Sequence, residues 1–136
     1  MLQELELIDE VRKEVKKEHP NFEMSLILSG YKIISNAQAF ATKILEHIRI
    51  GKEKYPDLIA GFDLINEEDY SPSLEDFMPS VLGAQQDDQS ALYKMPTYFH
   101  AGETHDREIT NMHDAVLLNS RRLGHGFQLT LFPNLL

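Results

Sequence analysis

His100, Glu103 and His125 have the side-chain types and the spacing that chemistry needs. The first two close a short apolar run, Met95-Pro-Thr-Tyr-Phe-His-Ala-Gly-Glu-Thr104. A neutral imidazole can bind a metal, and a carboxylate nearby can move a proton. Strand alternation puts Tyr98 and His100 on one face and Phe99 on the other. Gly102 supplies a bend that lets Glu103 turn back toward the imidazole. His125 stands between two glycines in Arg122-Leu-Gly-His-Gly-Phe127, a pattern of close backbone approach or of a sharp bend at a strand end. Each segment alone also reads as an exposed strand end or a glycine-rich turn. What favours a site is the pair of them arriving at one rim.

The elements needed to bring them there are legible along the chain. Residues 1–18 predict an amphipathic helix with Leu5, Ile8, Val11 and Val15 on its stripe, ended by His19-Pro20. Met24 to Gly30 predicts a strand. Ser35 or Asn36 can cap the next helix, where Ala37, Phe40, Ala41, Ile44, Leu45 and Ile48 recur at helical spacing. Leu58 to Ile65 is apolar except for Asp63, as in a parallel strand covered on both faces. A buried Asp needs a partner, and a structural role in fixing the loop that follows is the favoured reading. That loop, residues 66–72, carries Glu67, Glu68 and Asp69 in a row and reads as solvated surface. Ser73 should cap a shorter helix, which Pro79 should shorten or kink. The strand reaching His100 follows. A helix from about Arg107 to Leu118 comes next, with Ile109, Met112 and Val116 on one face, and then a strand from Leu123. His19, His47, His105 and His113 read as exposed. Strict alternation predicts βαβ units, a parallel α/β sheet, and a shared rim for the two histidines at strand ends.

Composition narrows the partners. The 136 residues suit one modest domain, 42% hydrophobic and 26% charged. A net charge of −9 argues against a nucleic-acid backbone as partner but leaves room for a single uncharged nucleoside. There is no cysteine, which excludes disulfides and thiolate metal sites. No apolar run approaches the ~20 residues that span a bilayer, and the N-terminus lacks the pattern of a signal peptide. No membrane partner is expected.

Phe99-His-Ala-Gly-Glu-Thr104, Met112-His-Asp-Ala-Val-Leu-Leu-Asn119 and Arg122-Leu-Gly-His-Gly-Phe127, in this order and separation, resemble the adenosine deaminase family. Ala60-Gly-Phe-Asp-Leu64 with its acidic loop is similar to the secreted branch, the adenosine deaminase-related growth factors. The resemblance implies a (β/α)8 (TIM) barrel, of which residues 1–136 would form one incomplete segment, roughly strands three to six. It implies one catalytic Zn2+ and hydrolytic deamination of adenosine and 2'-deoxyadenosine to inosine and ammonia. Carried over by motif, His100 is a zinc ligand. Glu103 donates a proton to the purine ring nitrogen beside the attacked carbon, and His125 holds and helps deprotonate the attacking water. Asn66, Gly102 and Glu103 fall at nucleoside-binding positions. For Glu103 to act as an acid it must carry a proton, which requires a dry pocket around it. The branch further implies an extracellular protein and a homodimer of the full-length parent.

The chain departs from the family pattern. It has no His-x-His motif for two further zinc ligands, and the late Asp ligand would lie beyond Leu136. Asn66 stands where the family has a glycine, and the loop after Glu103 is shorter than in the secreted branch. A catalytic zinc takes about three protein ligands, and a full barrel takes about 200 residues or more. The expectation is a segment of a longer deaminase that alone binds zinc poorly and turns over no adenosine. Two alternatives are a degenerate, non-catalytic binding or growth-factor module and a zinc amidohydrolase acting on another substrate.

Overall fold

The computed structural model describes residues 1–33, 36–132 and 134. Helices and strands alternate throughout: α1 (Leu2–Glu18), β1 (Leu26–Tyr31), α2 (Ala37–Lys54), β2 (Ile59–Ile65), α3 (Met78–Gln86), β3 (His100–Ala101), α4 (Asn111–Leu117) and β4 (Gly124–His125). A 3-10 turn at Glu75–Phe77 leads into α3, and another at Phe127–Thr130 follows β4.

All strand pairing is parallel and joins neighbours in chain order. β1 runs beside β2 from Leu26↔Ile59 to Tyr31↔Ile65. β3 runs beside β4 through His100↔Gly124 and Ala101↔His125. A parallel bridge, Phe62↔Thr97, links the two pairs: Pro96 O accepts from Phe62 N–H, and Phe62 O accepts from Tyr98 N–H. Short parallel strands with helical crossovers agree with the α/β reading and are compatible with part of a barrel.

The core lies between the strands and the inner faces of the helices. β2 is buried along nearly its whole length, as its run, apolar except for Asp63, predicted. Phe62 and Phe99 are fully buried and meet edge to face, ring centroids 5.9 Å apart. Such rings contribute roughly 2–3 kcal/mol each through burial. On α2 the predicted stripe is realised: Ala41, Ile44, Leu45 and Ile48 are buried. The side chains of Ala37 and Phe40, and Ser35 as a cap, fall outside the described residues. Asn36 caps α2 instead, its Oδ1 accepting from the Ala39 N–H at 3.2 Å. Among the described residues no helix is long and apolar enough to cross a membrane.

Several expectations are corrected. On α1 only Leu5 of the predicted stripe is fully buried, and Val11 faces out. Ser73 does not cap α3. It donates to Asp76, and Leu74 N–H is taken by Asn111 Oδ1 from α4 at 2.6 Å. Pro79 sits in the first turn of α3, where no helical donor is lost, so it begins the helix rather than breaking it. α4 starts at Asn111, not near Arg107. Side chains take over the intervening backbone: Thr104 and Asp106 accept from N–H groups two residues on, and Gln128 Nε2 donates to Asp106 O and Ile109 O. The buried face of α4 is Met112, Ala115 and Leu118, while Val116 is exposed. His113 is half-buried, edge-on to Phe132 at 4.8 Å. The last strand opens at Gly124 rather than Leu123.

Candidate active site

The carboxyl ends of β2, β3 and β4 bring His100, Glu103 and His125 to one rim. The Asp63 carboxylate, on β2, sets His100. Its Oδ1 accepts the His100 backbone N–H at 3.0 Å, and its Oδ2 lies 2.5 Å from His100 Nδ1. In a neutral ring, a proton on Nδ1 facing the buried carboxylate would leave the Nε2 lone pair free. The Asp63 partner is therefore the metal-ligand candidate across the sheet, not the following loop as the sequence suggested.

His125 lies close by, its ring centroid 5.3 Å from that of His100. Its Nε2 is 3.8 Å from Glu103 Oε1. Gly102, at φ +72°, makes the turn that sends Glu103 back toward the histidines. His125 itself adopts φ +72°, a left-handed conformation that strains a side-chain-bearing residue by about 1–3 kcal/mol. Gly124 explains the first glycine of the Gly-His-Gly triplet: a Cβ there would meet His100 Cδ2 at 2.9 Å and Cγ at 3.1 Å. Gly124→Ala should thus push the His100 ring off Asp63 and destabilise the fold by about 1–3 kcal/mol. The test is the His100 ring resonances together with the denaturation midpoint. An unmoved ring would show that the neighbours absorb the methyl group.

Just past the carboxyl ends of β1 and β2 lie two buried charged residues that the sequence reading did not place at the site. Glu68, expected in solvent with its acidic neighbours, is 4% exposed. Its carboxylate accepts from three successive backbone N–H groups: Gly102 at 2.9 Å, Glu103 at 2.6 Å and Thr104 at 3.2 Å. Lys32, just past β1, is wholly buried. Its Nζ has no hydrogen-bond partner among the described residues. Burial lowers its pKa from the ordinary lysine value, and the negative charges of Glu68, Asp63 and Glu103 oppose that shift. Asn66 ties the two strand ends together, donating to Lys32 O at 2.8 Å and accepting from Glu67 N–H at 3.0 Å.

The sequence itself points the same way. It is 33% identical over 97% of its length to the adenosine deaminase of Lutzomyia longipalpis. It is 35% identical over 91% of its length to human adenosine deaminase 2, and 34% over 92% to that of Sus scrofa. The chain belongs to the adenosine deaminase family. It spans about a quarter of the length of these curated relatives. No protein-family model matches it.

The fold gathers His100, Gly102, Glu103 and His125 at one rim. Asn66 is near it through Lys32, but its amide is engaged with backbone. Fit to zinc is partial. A neutral His100 with its proton on Nδ1, toward Asp63, would present Nε2 to a metal. Among the described residues no three His, Cys, Asp or Glu side chains converge to hold an ion. The dry pocket expected around Glu103 is not formed either, since its side chain is 41% exposed. Signals for the missed residues were faint: Glu68 is one of three adjacent acids, and Lys32 is a lone cation ending an apolar run.

Proposed function

We propose that this chain supplies one part of the active site of a zinc-dependent adenosine deaminase, which converts adenosine and 2'-deoxyadenosine to inosine and ammonia by hydrolysis. The observation that carries the reading is the Asp63–His100 pair, with His125 and Glu103 beside it at 5.3 and 3.8 Å. On this reading the four parallel neighbours are roughly strands three to six of a (β/α)8 barrel, and the rim is the carboxyl-end face where barrel enzymes place their chemistry.

His100 would hold the zinc through Nε2, with the other ligands from outside this chain. Zinc, when bound, lowers the pKa of water to about 7 and supplies a nucleophile at neutral pH. His125 would hold the attacking water by its ring and take up a proton from it. Glu103, protonated once the pocket is closed over it, would give its proton to the purine ring nitrogen next to the attacked carbon. That transfer would keep negative charge from accumulating in the ring as the water oxygen adds to the carbon, before ammonia leaves. The backbone of Gly102 and the loop at Asn66 would contact the nucleoside. The same reading makes the parent protein extracellular and its substrate a free nucleoside.

Two assays test this. The chain alone, with zinc added, should show no change in adenosine absorbance, because one imidazole does not retain the metal. Grafted in place of the matching quarter of a curated relative, the chain should support turnover, and Glu103→Gln in that graft should lower kcat by about 10²–10⁴-fold. A folded, zinc-loaded graft inactive on adenosine would overturn the proposal.

A further inference from the structure

The Glu68 carboxylate does more than neutralise its own charge. Its two oxygens collect three consecutive N–H groups, Gly102 on Oε1 and Glu103 and Thr104 on Oε2. Successive backbone donors converging on one anion make a concave cradle, and charge-assisted bonds of this kind are about twice as strong as neutral ones. The left-handed Gly102 aims the donors inward. Glu103 projects from the middle of the cradle, so the carboxylate that fixes its backbone also fixes where its side chain starts.

We propose that Glu68 is a positioning residue for Glu103: its carboxylate sets the backbone of the Gly102–Thr104 turn. The proposal rests on the deaminase reading only for what Glu103 then does. The cradle stands on its own hydrogen bonds.

The test uses the isotopically labelled 136-residue chain, so it is independent of any turnover assay. In the native protein the amides of Gly102, Glu103 and Thr104 should exchange slowly, and a nuclear Overhauser contact should join the Glu103 side chain to the His125 ring. Glu68→Gln replaces one acceptor oxygen with a donor NH2 that faces an N–H. Exchange at these three amides should quicken by about tenfold or more, and the Glu103–His125 contact should vanish while β1–β2 amides stay protected. Unchanged exchange in Glu68→Gln would overturn the role of Glu68. If that variant does not fold, the native chain decides: exchange at Gly102–Thr104 as fast as at residues 105–109 would overturn the cradle. Loss of the cradle with an active graft, or a sound cradle with an inactive one, tells the two proposals apart.

Discussion

Asp63→Ala is expected to destabilise the fold by about 3 kcal/mol and to release the His100 ring. The substitution strips two hydrogen bonds from His100, one of them to its ring, and leaves a backbone donor unsatisfied. It also removes one of the anions acting on the buried Lys32. Denaturation should show a lower midpoint at constant slope, and the ring nitrogen resonances should show Nδ1 no longer holding its proton. Asp63→Asn sharpens the test. An amide N–H facing Nδ1 would drive the proton to Nε2, removing the free lone pair with a smaller change in stability. An unchanged midpoint and ring spectrum in both variants would mean that something other than Asp63 orients the imidazole.

Phe99→Ala should have the largest effect on stability, about 3–5 kcal/mol. Phe99 is fully buried, meets Phe62 edge to face, and directly precedes the strand that delivers His100. Small proteins hold only about 5–15 kcal/mol in total, so this one truncation removes a large share. Thermal or urea unfolding measures it. Phe127→Ala is the control, since that ring is half exposed, and it should stay within about 0.5 kcal/mol. Similar losses at both positions would mean that the core is not organised around the Phe62–Phe99 contact.

The elements were legible because their signals are local. The α2 stripe and the largely apolar run of β2 were both read, and the packing of Ala41, Ile44, Leu45 and Ile48 and of β2 agrees. Alternation likewise put Tyr98 and His100 on the face opposite Phe99, which is buried. Reading failed where a distant partner decides. Nothing near Asp63 in sequence announces His100, 37 positions on. Glu68 sits among acids that do face water, and only the three N–H groups of a later turn draw it inside. The start of α4 was misplaced because Gln128, far along the chain, takes the carbonyls an earlier start would need.

The narrow junction between the two strand pairs divides the rim. Lys32, Asp63 and Glu68 belong to the β1–β2 side, while His100, Glu103 and His125 belong to the β3–β4 side. Among the described residues the backbone tie between the pairs is the single bridge at Phe62 and Thr97; beside it stand the Phe62–Phe99 contact and the acidic side chains, from Asp63 to His100 and from Glu68 to the turn. The chemistry-bearing groups therefore double as rivets across a seam. A thermal fluctuation that parted the halves would scatter the site while leaving each pair of strands locally intact, so loss of the site would precede loss of the fold on heating.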